Sequence, residues 1–394
     1  MSTDPIVIVG AARTPMGGFQ GDLSALTASQ LGGAAIKAAL ARAGVPGADV
    51  DELLMGCVLP AGQGQAPARQ AGFHGGLGQA VPASTLNKMC GSGMKTVMIA
   101  HDQLLAGNGR VVVAGGMESM TNAPYLLQKM RAGARLGHAA AKDHMFLDGL
   151  EDAYDEGRLM GTYAEDCAEK FQFTREAQDE YALGSLSNAL AAQTSGAFAV
   201  EIAAVTVAGR TGESVVALDE QPAKARPEKI PTLKPAFRKG GTVTPANSSS
   251  ISDGAAALVL MRRSEAQARG LTIRATILGH ASYAAAPGDF PTAPIPPMKA
   301  LLAKTGWSVE DVDLWEINEA FAVVPMAAQA ELGIARDKLN VNGGACALGH
   351  PIGASGARIL VTLIHALEAR GLSRGMAGIC IGGGEGTAVA LQIG

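Results

Sequence analysis

The feature that most constrains this chain is that it repeats itself. Leu40-Ala41-Arg42-Ala43-Gly44 resembles Leu302-Ala303-Lys304-Thr305-Gly306, an offset of 262 residues. Val50-Asp51 and Val312-Asp313 follow at that same offset, each leading into an apolar run, Leu53-Leu54-Met55 or Leu314-Trp315. At an offset of 263, Cys90-Gly91-Ser92-Gly93 faces Gly353-Ala354-Ser355-Gly356. Each opens an apolar stretch, expected as helices at about 94–106 and 357–369, with Gly107 and Gly371 where C-caps belong. Short apolar strands ending in glycine come next, around Val111 to Gly116 and Ile379 to Gly383. The last match sets Asp253-Gly254 and its apolar run against Glu385-Gly386 and its own. Four matched pairs in one order define two similar halves.

In the second half the last two strands are adjacent. In the first, about 130 residues separate them. The expected organisation is therefore 1–116 with 247–272 as one half, 117–246 as an inserted loop domain, and 273–394 as the other half. Ile6-Val7-Ile8-Val9 and Ala275-Thr276-Ile277-Leu278 read as the first strands of the two halves. Strands alternating with helices predict a layered α/β protein with a largely parallel sheet. The insertion carries one clear helix, expected from Arg175 to Gln193 behind the N-cap candidate Thr174. Residues 222–245 hold five prolines and read mostly as loop.

Hydrophobic residues make up 47% of the 394, charged residues only 17%. Such a chain buries most of itself, in layers or against other subunits. The net charge of −4 supplies no basic field for nucleic acid. Five scattered cysteines without a CxxC pair argue against a disulfide framework, zinc or redox chemistry, so no metal is expected. The start, Met1-Ser2-Thr3-Asp4-Pro5, lacks the basic region of a signal peptide. No apolar run reaches bilayer length, the nearest being Thr96 to Leu105. A soluble cytoplasmic protein without membrane partners is expected.

The chemistry gathers in glycine-rich turns. Cys90 lies at an expected helix start, where backbone N–H groups favour a thiolate and predict a lowered pKa. His350, in Gly349-His350-Pro351, is a base for a nucleophilic thiol. Cys380 closes a strand before three glycines and suits a proton-transfer role at carbon. The N–H groups of Gly382 and Cys90 are candidates for an oxyanion hole. Asn318 follows the run Leu314 to Ile317, at a strand end where ligands bind in open α/β sheets. It suits either a water-holding role or a helix N-cap.

NKMCGSGMK (87–95), GGMESM (115–120), NEAFA (318–322), ALGHPIGASGAR (347–358) and CIGGGEG (380–386) together resemble the thiolase family over essentially the whole chain. The resemblance implies the thiolase fold, five layers αβαβα built from two similar halves plus an inserted loop domain. It implies coenzyme A thioesters as substrates, no cofactor, and an acyl-cysteine intermediate. Cys90 becomes the nucleophile and His350 its activator. His350 also shares an oxyanion hole with a water on Asn318. Cys380 becomes the acid/base, and the amides of Cys90 and Gly382 a second oxyanion hole. Ser249 resembles a pantetheine contact. Met160 and Phe321 resemble acyl-pocket residues.

The resemblance further implies reversible condensation of two acetyl-CoA to acetoacetyl-CoA and CoA. A broader 3-oxoacyl-CoA thiolase and a non-catalytic acyl-CoA-binding protein are the alternatives. One or two of Lys224, Arg226, Lys229, Lys234, Arg238 and Lys239 are expected at the CoA phosphates. A homotetramer is expected, with Tyr125 to Gly149 as the tetramerisation loop. Three positions depart from the family pattern: Leu159 where short-chain members often have histidine, Asp166 where asparagine is frequent, and Cys346 where an aliphatic residue is common. Cys57, Cys167 and Cys346 read as structural.

Overall fold

The computed structural model describes residues 4–209 and 212–394. The first three residues of the N-terminal segment read above lie outside them.

The first half contributes strands β1 (Ile6–Arg13), β2 (Glu52–Gly56), β3 (Ala83–Leu86), β4 (Val111–Ser119) and β5 (Ser252–Arg262). Its helices are α1 (Ala28–Ala43), α2 (Pro67–His74) and α3 (Ser92–Ala106). Between β4 and β5 lie the inserted helices α4 (Met160–Phe171) and α5 (Arg175–Ser195). The second half contributes β6 (Ala275–Ala284), α6 (Ile295–Thr305), β7 (Leu314–Ile317), α7 (Val323–Leu332), α8 (Ile352–Arg370), β8 (Arg374–Ile381) and β9 (Glu385–Ile393).

The strands run β7-β8-β9-β6-β1-β5-β4-β2-β3. Outward from the β1/β6 junction, each half places its repeat-equivalent strands in the same order and the same directions. Both first strands even carry a bulge at the same place, at Val9 against β5 and at Leu278 against β9. The halves join where Val7 and Ile8 meet Thr276 and Ala275.

The expectation of a largely parallel sheet is wrong. Among the described residues only β2–β3, β2–β4 and β7–β8 pair in parallel within this sheet. The other neighbours, including β4–β5 and β8–β9, are antiparallel. The helical crossovers suggested parallel strands, but β8 and β9 are joined by three glycines only. A connection that short makes a hairpin, and a hairpin is antiparallel. The first half keeps the same hairpin geometry and threads its insertion through the turn.

Side-chain alternation builds the layers. On β4, Val111 and Val113 pack outward against α1 and α2, while Val112 and Ala114 pack inward against α3. On β9, Val389 and Leu391 face the central layer, while Ala388 and Ala390 face α6 and α7. Period two on strands buried on both faces explains the near-continuous apolar runs. Helices α3 and α8 form the central layer between the halves, giving five layers. Contrary to the expectation that no apolar run reaches bilayer length, helix α8 is long and apolar enough to span one, and it is packed inside the protein instead.

Local signals fix the helix ends. Thr27 caps α1 by accepting from Gln30 N, while Gln30 Oε1 accepts from Thr27 N at 2.9 Å. Thr174 caps α5 as expected, accepting from Ala177 N at 3.1 Å. The insertion is tied to β1 by Arg13, which is fully buried and donates to Asp219 at 2.6 and 2.8 Å and to Glu201 at 2.5 Å. Removing one partner of such a buried set strands the others and costs about 3–5 kcal/mol.

Candidate active site

Cys90 sits in the turn between β3 and α3. Ser92 organises this turn: its Oγ accepts from Lys88 N at 2.8 Å and donates to Met89 O at 2.6 Å. Met89 is held at φ 47°, a left-handed conformation uncommon for its type. A Cβ on Gly91 would lie 2.4 Å from Ile381 Cδ1, so glycine there lets the turn sit against the end of β8.

The expected lowering of the Cys90 pKa is not found. Burial pushes the thiol up to about 11, against the N–H groups of Gly382 and of Cys90 itself, which pull it down. The reason is one of magnitude. A helix start is worth only about 0.3–1 kcal/mol at an ionised side chain, and desolvation of a buried thiolate exceeds that. Cys90 also precedes α3 rather than opening it, since Gly91 is the cap. The thiol is stored protonated and needs a base.

His350 lines the same cavity as Cys90. It enters a turn in which Gly349 takes φ 102° and a Cβ on it would strike Ser252 Oγ at 2.1 Å. Its Nδ1 lies 2.5 Å from Ser355 Oγ, and that hydroxyl donates to Pro351 O at 2.9 Å. With its one hydrogen committed, Ser355 accepts from Nδ1–H, which leaves Nε2 as a bare lone pair. Nε2 is buried with no protein hydrogen-bond partner among the described residues. Burial, and then the charge of Arg358, hold the imidazole down at about 3, so it stays neutral. Sequence reading missed Ser355, although it lies in the quoted GASG motif.

Cys380 is the penultimate residue of β8, in register with Gly386 of β9, and is buried. Burial, then proximity to Cys90, raise its thiol well above the usual range. Asn318 follows β7, and its N–H extends the ladder to Gly378 O at 3.0 Å. Helix α7 starts only at Val323 with Ala322 as its cap, so Asn318 is not an N-cap. Its side chain is fully buried, and neither amide atom has a protein partner among the described residues.

Cys90, His350, Cys380, Gly382, Met160, Phe321 and Ser249 all line one cavity of about 370 Å³. Asn318 does not line it. Ser249 Oγ donates to Ala320 O at 2.9 Å, which fastens its loop to the NEAFA segment. The rest of the lining is mostly apolar, including Leu150, Leu159, Phe237 and Phe290. Phe321 packs against Phe237 and Phe290 at ring separations of 5.9 and 6.2 Å.

Two further carboxylates hold the site's backbone. Glu118, in the GGMESM motif, accepts from Val58 N, Leu59 N and Gly353 N at 2.9–3.1 Å, and burial raises it to about 7. Glu319 accepts from Tyr181, Ser185, Asn340 and Cys346 N at 2.7–3.0 Å. Both sit in motifs noted above, but their partners come from distant segments. Of the basic stretch, Lys224 pairs with Glu220, and Arg238 pairs with Asp166 and Glu169. Asp166 also takes Arg158 at 2.6 Å, so this departure joins a charge cluster. The segment from Tyr125 carries a hairpin, Tyr125–Leu127 with Ala141–Asp143, whose Tyr125 and Leu136 are exposed.

A repeat whose halves each bring a glycine-flanked reactive group to one cavity defines a class. Residues 6–264 match the thiolase N-terminal domain and residues 271–393 the thiolase C-terminal domain. The chain belongs to the thiolase family. It is 51% identical over 391 residues to acetyl-CoA acetyltransferase 2 of Arabidopsis thaliana, covering 98% of this chain and 97% of that protein. It is 48% identical to the acetyl-CoA acetyltransferase of Cupriavidus necator, covering 98% and 99%. The cytosolic acetyl-CoA acetyltransferase of Mus musculus is 47% identical, covering 100% and 99%. The crystal structure of the Bacillus anthracis acetyl-CoA acetyltransferase superposes with a TM-score of 0.96 at 41% identity, covering 99% of each chain.

Proposed function

We propose that this thiolase is an acetyl-CoA C-acetyltransferase, which condenses two acetyl-CoA to acetoacetyl-CoA and CoA and runs the reverse thiolysis. The observation that carries this is the convergence of Cys90, His350, Cys380 and Gly382 on one mostly apolar cavity. His350 Nε2 takes the Cys90 proton as Sγ attacks the thioester carbonyl, and CoA leaves with the Cys380 proton on its sulfur, which leaves Cys380 as a thiolate. A second acetyl-CoA loses an α-proton to the Cys380 thiolate. The resulting carbanion attacks the acyl carbon, and the Cys90 thiolate departs and recovers its proton from His350. The N–H groups of Gly382 and Cys90 point at the Cys90 sulfur, beside which the acyl oxygen develops charge. The unpartnered amide of Asn318 suits a bound water that, with His350, stabilises the enolate of the second thioester.

Met160 and Phe321 serve as acyl-pocket walls, and Ser249 stands at the pantetheine arm. Arg226, Lys229, Lys234 and Lys239 make no ion pair among the described residues and are the candidates for the CoA phosphates. The working division is 1–116 with 247–272, 117–246, and 273–394. The protein acts in the cytoplasm without a cofactor, as a homotetramer built through the 125–149 segment.

The apolar wall at Leu159 favours one second reading, a broader 3-oxoacyl-CoA thiolase. Thiolysis rates across C4 to C16 3-oxoacyl-CoA decide between them. Activity concentrated at C4 supports the first reading, and strong activity at C10 or beyond overturns it. Intact-mass analysis after acetyl-CoA treatment must show one acetyl group on Cys90.

A further inference from the structure

Three metal-ligating side chains meet where the two halves join, away from the cavity. His101 and Asp102 lie on α3, and His280 lies on β6. His101 Nδ1 is 3.2 Å and His280 Nε2 is 2.9 Å from the same oxygen, Asp102 Oδ1. One donor atom from each of the three falls within 4.8 Å of the others. The imidazoles stand edge to face with centroids 5.0 Å apart. The cluster lies roughly 16 Å along α3 from Cys90, at 1.5 Å per residue.

The bulge at Leu278 is what aims His280. Ile277 packs toward the central layer and Leu278 away from it. A regular strand would then turn residue 280 outward. The extra residue reverses that parity, so His280 faces α3 while Ala281 packs outward. The first half has the same bulge, which turns Ala11 inward. The repeat equivalents of His280 and His101 are therefore Ala11 and Ile364, both in the apolar central core. The mate of Asp102 is His365, whose Nδ1 donates to Val361 O at 2.8 Å, so the mate position packs without a pair of imidazoles on one carboxylate and folding does not require the His/Asp/His set.

We propose that His101, Asp102 and His280 bind a divalent transition-metal ion of the zinc type and thereby clip α3 of one half to β6 of the other. Two imidazole nitrogens and a carboxylate suit Zn²⁺ or Co²⁺, whereas Mg²⁺ and Ca²⁺ prefer oxygen donors. Asp102 is 60% exposed at its side chain, so water can complete the coordination. Lys304, whose ammonium lies beside Gly279, opposes a cation here, as Lys95 does from α3. They set the affinity below that of a closed structural zinc site.

The test uses the full-length protein, stripped with chelator and kept reduced. Equilibrium dialysis against Zn²⁺ should give one more equivalent bound for the wild type than for an Asp102→Asn/His280→Gln double variant, at micromolar free metal. Lys304→Ala should tighten that equivalent several-fold. Co²⁺ should give visible bands lost in the double variant. Thiolysis by the metal-free double variant, measured against metal-free wild type, should be unchanged and confirms its fold. Equal stoichiometry in wild type and variant overturns the proposal. So does an intense Co²⁺–thiolate band, which would place the ion on the cysteines instead.

Discussion

Replacing Ser355 by alanine isolates what prepares His350 for proton transfer. The change removes one oxygen from a fully packed helix, and Pro351 O keeps its backbone partners, Ala354 N at 2.9 Å and Ser355 N at 3.0 Å. The only group left unsatisfied is His350 Nδ1, which loses its 2.5 Å contact. A stranded buried donor costs about 1–3 kcal/mol. The imidazole escapes that cost by moving its proton to Nε2 or by turning, and either removes the base proposed for Cys90. That range converts to a fall of about 5- to 150-fold in acylation rate. The assay is single-turnover acetylation of Cys90 by acetyl-CoA, quenched on the millisecond scale and read by mass, across pH 6 to 10. The deficit should narrow as pH rises toward the thiol pKa of about 11, because hydroxide replaces the histidine. Ser355→Thr, which keeps the hydroxyl, should recover much of the rate. If Ser355→Ala acylates at the wild-type rate with an unchanged pH profile, Ser355 does not set the tautomer.

Alkylation of Cys90 by iodoacetamide in the free enzyme should rise about tenfold per pH unit up to the vicinity of pH 11, since both thiol and imidazole are neutral below it; a plateau reached below pH 8 would reveal a thiolate–imidazolium pair instead. Cys380→Ala should still show an acetyl group on Cys90 by mass but lose condensation by at least about 10²-fold, the lower end for a missing acid/base; full condensation activity would remove Cys380 from the mechanism. Gly356→Ala should destabilise the protein by about 1–3 kcal/mol through overpacking, as its Cβ would lie 2.5 Å from Met94 N; calorimetry showing an unchanged midpoint would mean the helices can separate there.

Much of the fold was legible because its signals are local. The capping threonines, the glycines after most of the helices and the apolar runs of the strands all act within a few residues, and the repeat tied them into two halves. The direction of the last two strands was legible too, in the three glycines that separate them, whereas the long insertion between β4 and β5 hides the same hairpin in the first half. At the site, Cys90, His350 and Cys380 announced themselves through glycine and motif context. The direction of the Cys90 pKa did not, since desolvation depends on what Ile381 and the second half lay over the turn. Ser355, Glu118 and Glu319 stayed hidden for a related reason. A serine or glutamate in a motif shows its role only when His350, Val58 or Tyr181 arrives from elsewhere in the chain.

The glycines of the central layer have a consequence for assembly. A Cβ on Gly93 would lie 2.9 Å from Ala357 N, so α3 and α8 touch backbone to backbone beside the residues they present, Cys90 and His350. In the proposed mechanism neither half carries the nucleophile and its base together. Catalytic competence is thus the last property the chain acquires on the way to its native state. During refolding, helical signal should return before any acetyl transfer, and turnover will report the docking of the halves rather than the folding of either.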